Sequence, residues 1–295
     1  MLKRICAVLC VAALLCTGCT TSVDTPPTTA PTTAPTTVPV TDPSTEPTTV
    51  PTEPPTTEPV PQGPTLTDFL SISTLPVGNT MYVWGGGWNE EDTAAGIEAV
   101  TLGLSPQWAT FASWQDSSYN YKNTRYQIHD GLDCSGYMGW AVYNVMETEN
   151  GKEGYVCAST KMAKMLSDKG FGDYIPAWEL KAWVPGDIMS MNGHCWIVVG
   201  QCEDGSVLML HASPPGVMFS GTTLSDGSPS QASVLADSIM KTHYPNWYAR
   251  YPQTSRPHSY LTESNAMRWN SETLADPDNL RQMTAEEVVA VLFPE

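Results

Sequence analysis

The chain is poor in positive charge. Among its 295 residues, 14 Lys and Arg stand against 31 Asp and Glu, for a formal net charge of −17. No Lys/Arg cluster interrupts that balance, so a phosphate backbone would be repelled and nucleic acid is not an expected partner. Long apolar runs are also missing. The N-terminal run from Ile5 to Cys16 has 12 residues, too few to span a bilayer. Of the eight cysteines, four fall at or before residue 19, and Cys134, Cys157, Cys195 and Cys202 lack the C-x-x-C spacing of a zinc site. No metal or cofactor is expected. Aromatic residues are absent from 20–64, whereas all ten Trp and all five His lie beyond that stretch.

What is present at the N-terminus is a basic start at Lys3 and Arg4, the short apolar run, and the small residues Thr17 and Gly18 leading into Cys19. This pattern fits an export signal and resembles a bacterial lipoprotein signal, with Cys16 where such signals usually carry Leu. The resemblance implies lipidation of Cys19 and a membrane anchor outside the cytoplasm. An ordinary cleaved secretory signal is the alternative, and it also predicts export. Residues 20–64 then alternate Thr and Pro, with a proline at every fourth position from Pro27 to Pro59. Proline fixes φ and removes a donor, and nothing apolar is available to bury. An extended spacer is expected, reaching roughly 140 Å at about 3.1 Å per residue. With Cys6, Cys10 and Cys16 in the signal and Cys19 lipidated, the remaining thiols are expected to be free, although one disulfide among Cys157, Cys195 and Cys202 stays open.

From Thr65 the composition is that of a folded domain. Helical spacing appears at 66–75, through Leu66, Phe69, Leu70 and Ile72, and at 134–147, through Met138, Ala141, Val142 and Val145. A further helix is expected at 158–169, capped by Ser159. Residues 88–131, rich in Trp, Tyr, Ser and Asn without clear periodicity, read as a loop-like insertion with one short helix. After Pro185-Gly186 come strand-like runs at 187–191, 195–199 and 207–210, and Glu203-Asp204-Gly205-Ser206 makes the latter two a hairpin. Thr284-Ala285-Glu286-Glu287 has the pattern of a capping box. Helix first and strands afterwards predict an α+β fold.

Thiol chemistry on an amide needs an ionised sulfur, a base beside it and a group that orients the base. A free Cys has a pKa of about 8.5 and is stabilised as thiolate at a helix N-terminus. Cys134 opens the 134–147 helix. His194 starts one strand of the hairpin and His211 ends the other, so pairing would make them neighbours, as a base and its orienter must be. His129, inside the insertion, reads as a surface or packing residue.

These residues carry a resemblance. Asp133-Cys134-Ser135-Gly136-Tyr137 looks like the nucleophile motif of NlpC-type cell-wall cysteine peptidases, which have a papain-like fold. Tyr82-Val83-Trp84-Gly85-Gly86, Pro185-Gly186-Asp187-Ile188, the strand at His194, His211-Ala212-Ser213 and Trp247-Tyr248-Ala249-Arg250-Tyr251 resemble further elements of that family, in the family's order. The resemblance implies Cys134 as nucleophile, His194 as general base and acid, and His211 as orienter. It implies Tyr82, Asp133 and Ser135 as substrate-binding residues, with helix capping the equal alternative for Asp133. The implied fold is a nucleophile helix packed on a small antiparallel sheet over residues 65–256, with 257–295 as a C-terminal extension. The implied partners are peptidoglycan stem peptides and muropeptides in the cell wall, cleaved most often at the D-γ-glutamyl–diamino acid bond. An amidase or acyltransferase with the same Cys-His pair, or a non-catalytic binding protein on a degraded scaffold, are the alternatives. Relatives place only about a dozen residues between the Tyr-x-Trp-Gly-Gly element and the Cys, so the long insertion leaves specificity more open than chemistry.

Overall fold

The computed structural model describes residues 63–148 and 153–294. The expected signal segment, the lipid-bearing Cys19 and the spacer up to residue 62 lie outside the described residues. The first helix, α1 (Leu66–Thr74), starts where Thr65 and Asp68 cap each other's backbone N–H groups, and it buries Leu66, Phe69 and Leu70. Ile72 packs at the edge of the same core. Helix α2 (Pro106–Ser113) lies within the insertion, and α3 (Cys134–Met146) is buried along nearly its whole length. Ser159 caps no helix. Residues 159–161 form a separate 3-10 turn, and α4 (Met162–Asp168) follows without a side-chain cap.

The described residues form a mixed α+β fold with eight helices and one nine-stranded, largely antiparallel sheet. Its strands are β1 (Met81–Tyr82), β2 (Gly131–Leu132), β3 (Gly172–Ile175), β4 (Ile188–Met191), β5 (His194–Gln201), β6 (Val207–Ser213), β7 (Gly216–Thr222), β8 (Ser255–Arg256) and β9 (Asn265–Trp269). The order is β2-β1-β7-β6-β5-β4-β9-β3, with β8 beside β7. The β5–β6 hairpin has Ile197 opposite Leu210. Alternation along β5 divides the core. Cys195, Ile197 and Val199 join the main cluster with Tyr137, Trp140 and Val142 of α3, while Trp196 and Val198 join a smaller cluster with Met209, Leu261 and Ala266.

The remaining helices are α5 (Gln231–His243), α6 (Pro245–Tyr248), α7 (Ser259–Glu263) and α8 (Ala285–Leu292). The expected Thr284–Glu287 capping box opens α8. One expectation needs correction. The sheet is not small, because β3, β7 and β9 extend it beyond the strands legible in sequence. The C-terminal extension, described over 257–294, is built into the main sheet: β9 pairs with both β3 and β4, and Arg268 of β9 grips Asp187 at 2.6 and 2.9 Å. That bidentate ion pair fixes the entry to β4, since the buried Asp187 carboxylate would be left desolvated and uncompensated without it.

The insertion is anchored rather than loose. Trp108 of α2 meets Trp140 of α3 edge-on at 6.1 Å between ring centroids. Trp140 Nε1 donates to the Gly103 carbonyl at 2.9 Å, and the Asn144 amide accepts from Gly103 N–H at 2.6 Å. Arg250 holds the far end by donating to the carbonyls of Ala112 and Gln115, at 3.1 and 2.7 Å.

Candidate active site

Three glycines bring the site together. The turn after β1 presses its backbone onto the first turn of α3. A Cβ on Gly136 would lie 1.9 Å from the Gly86 carbonyl oxygen, and one on Gly87, whose φ is +85°, would lie 2.6 Å from Gly136 Cα. Neither strand nor helix could approach so closely with side chains there. Tyr82 and Trp84 are thereby carried to the N-terminus of α3, where Cys134 is the first helical residue.

Asp133 caps that helix. Its Oδ1 accepts from Gly136 N–H and from Ser135 Oγ–H, both at 2.8 Å, and its Oδ2 accepts from Gly85 N–H at 3.2 Å. Burial, reinforced by the neighbouring Cys134 sulfur, pushes its pKa up to about 7 against these hydrogen bonds. Ser135 Oγ in turn accepts from Trp88 Nε1 at 3.0 Å. The polar atoms of Asp133 and Ser135 are thus engaged within the protein, and capping is the role the geometry gives Asp133. With Gly136 capped and Tyr137 N–H bound to the Asp133 carbonyl, the N–H groups of Cys134 and Ser135 have no intrahelical acceptor. They are the donors an oxyanion at this sulfur would meet.

The Cys134 thiol titrates well below its ordinary value. The largest cause is the thiol of Cys195 hydrogen-bonding to it; burial opposes this, and the His194 imidazole and the Cys195 backbone N–H add to the lowering. Cys195 is pushed the other way, by burial first and then by its neighbour's sulfur. One thiol of the pair is poised to ionise and the other to stay protonated.

His194 Nε2 lies 2.8 Å from His211 Nδ1, and His211 Nε2 lies 2.9 Å from Ser220 Oγ on β7. Burial, then the charges of Arg256 and His194, hold the His211 pKa well below that of a free imidazole. A neutral His211 has one N–H. When it donates to Ser220, its Nδ1 is free to accept from His194 Nε2–H, and only this tautomer accommodates a protonated His194. The Nδ1 of His194 is then the nitrogen left for proton exchange with Cys134.

Tyr82 is nearly buried, its ring edge-on to Tyr121 at 5.4 Å, and its carbonyl accepts from Tyr119 Oη at 2.7 Å. Burial first, and the Cys134 sulfur second, raise its pKa far above that of a free phenol; it therefore remains a hydrogen-bond donor. A cleft of about 240 Å³ joins Tyr82, Trp84, Trp88, Asp133, Cys134 and Ser135, with Ser159 and Gly193 along its rim. The structure thus brings Cys134, His194, His211, Tyr82, Asp133 and Ser135 to one place. His129 is elsewhere, paired with Glu98 at 2.6 Å.

Sequence reading missed Cys195, Ser220 and Tyr260, whose ring lies 5.5 Å from that of His194. Ser220 was reachable in principle, because a β6–β7 hairpin turning at Pro214-Pro215 puts residues 211 and 220 on one face. Among the described residues no three His, Cys, Asp or Glu side chains converge into a set that could hold a metal ion. Comparison of the chain with protein-family models, with curated proteins and with solved structures finds no match.

Proposed function

We propose that this chain is a cell-wall cysteine peptidase with a papain-like, NlpC-type domain, hydrolysing the amide bonds of peptidoglycan stem peptides, the D-γ-glutamyl–diamino acid bond foremost. The observation that carries this reading is the alignment of Cys134, His194 and His211. A low-pKa thiol sits at a helix N-terminus beside an imidazole whose other nitrogen is held by a neutral second histidine. In the reaction, the thiolate attacks the amide carbon and the developing oxyanion is met by the free N–H groups at the head of α3 and by the Tyr82 hydroxyl. His194 Nδ1–H protonates the departing nitrogen, leaving a thioester on Cys134. Water, deprotonated by His194, then cleaves the thioester and regenerates the thiolate. Each preorganised donor at such an oxyanion contributes about 3 kcal/mol. Lipidation at Cys19 and the 20–64 spacer would place the domain outside the membrane and within the wall, where the substrate is.

The test is digestion of defined muropeptides by the protein and by its Cys134→Ala variant, with products identified by mass spectrometry. Cleavage by the parent alone is expected. Binding of muropeptides without cleavage by either would instead support a non-catalytic surface protein on the same scaffold.

A further inference from the structure

Arg256 is a cation in an acidic chain whose guanidinium meets no carboxylate among the described residues. Arg268 is held by Asp187, and Arg250 by two carbonyls. Arg256 instead donates to the carbonyl of its own neighbour Ser255 at 2.8 Å and rests on Met218 Sδ at 3.6 Å. Burial lowers its pKa, the consequence of desolvating a charge without an anion to compensate.

Strand register says where this charge lies. Met218 of β7 stands directly opposite His211 of β6, so the guanidinium is beside the His194–His211 pair. Tyr260, four residues further on, packs its ring 5.5 Å from His194 and 6.2 Å from Trp196. Burial raises the Tyr260 pKa, the nearby Arg256 charge opposes that rise and the Cys134 sulfur adds to it. Arg256 and Tyr260 therefore sit on the His194 side of the nucleophile, while Tyr82, Trp84 and Trp88 line the other. The imidazole that protonates a leaving nitrogen must lie next to it, so the departing fragment belongs on the His194 side. A planar guanidinium with free donors matches a carboxylate in bidentate fashion, and the net charge of the chain argues against larger polyanions.

We infer that Arg256, with Tyr260 beside it, is a carboxylate-binding subsite that takes a free carboxylate on the leaving fragment. This inference rests on the amide-hydrolysis reading, and deepens it: the bond cleaved is one whose amine side carries an unblocked carboxylate, on a diamino diacid or at a peptide C-terminus.

The experiment uses two stem peptides that differ only in whether the carboxylates of the leaving residue are free or amidated, and the readout is the ratio of their kcat/KM values. The parent protein is expected to prefer the free acid by roughly 10- to 100-fold, the range of a charge-assisted hydrogen bond. That ratio should collapse in Arg256→Gln and be partly kept in Arg256→Lys. Equal cleavage of the two peptides by the parent protein overturns the inference without any variant, and leaves the peptidase reading standing. A preference that survives unchanged in folded Arg256→Gln overturns it too. Calorimetric binding of the same two peptides to the Cys134→Ala protein separates the two claims. Discrimination there, with no cleavage of either peptide by the parent, keeps the subsite and sinks the peptidase reading; no discrimination sinks the subsite.

Discussion

On the helix side of the cleft, Cys134 is positioned by backbone: the turn at Gly86 and Gly87 lies against Gly136, and Asp133 ties both together. On the sheet side, His194 is positioned by side chains, through His211 to Ser220. Backbone contacts of this kind have no rotamers to adjust, so the sulfur is placed to within the tolerance of the fold. The imidazole hangs on a chain of two hydrogen bonds, each worth about 1 kcal/mol net. Damage to the first wall should be lost as stability and activity together, and damage to the second as activity alone.

The largest effect should come from removing the proposed base. His194→Ala is expected to lower kcat/KM against a cleavable stem peptide by roughly 10² to 10⁴-fold, with a melting temperature close to that of the parent. An equal loss of melting temperature and of rate would erase the contrast between the walls. Next is Gly136→Ala. Its Cβ would meet a carbonyl oxygen at 1.9 Å, and backbone faces backbone, so neither partner can rotate away. A cost of about 3 kcal/mol is expected for such overpacking, which is roughly 6–12 °C in Tm for a domain of this size. Thermal unfolding measures it, and a Tm unchanged within error would mean the close approach is not structural.

How much of this was legible depended on what kind of signal each segment carried. Helix α3 and the β5–β6 hairpin were readable because burial imposes a period and the Glu203–Ser206 turn has its own chemistry. From these alone His194 and His211 could be set side by side. The insertion was not readable as an ordered wall, because it is held by single anchors. Asn144 grips Gly103, Arg250 grips the end of α2, and neither bond leaves a periodic trace. Strands β1 and β2 have two residues each, too short for any alternation to show. Strand β9 pairs on both edges, and its Arg268 points to a buried Asp187 rather than to solvent, so its pattern is that of neither a surface strand nor an apolar core strand. Cys195 counted only among the thiols expected to be free, with no role at the site. Its effect on Cys134 depends on where helix and strand meet in space.

That contact between the walls can be tested by titration. Cys195 is the largest cause of the low Cys134 pKa, and a lowered pKa keeps the thiolate populated as pH falls below the ordinary thiol value, until it is lost near the folded-state pKa. Alkylation of Cys134 by iodoacetamide should therefore remain fast at pH values where a free thiol is mostly protonated. In Cys195→Ala the rate profile should move to higher pH. A profile that stays in place would assign the lowering to His194 and the helix terminus instead.

The smallest effect belongs to the end of the relay. Ser220→Ala removes one hydrogen bond from His211 Nε2 and leaves the buried imidazole free to adopt its other tautomer, with Nδ1–H directed at His194. That tautomer cannot accept from a protonated His194, so the loss should fall on the step in which His194 carries the proton. One hydrogen bond of about 0.5–1.5 kcal/mol corresponds to a decrease of roughly 2- to 10-fold, expected in kcat rather than KM. Ser220→Thr keeps the hydroxyl and should restore much of the rate. If Ser220→Ala instead raised KM with kcat intact, the serine would be acting on substrate, and the sheet-side wall would extend further into the cleft than the His194–His211 pair.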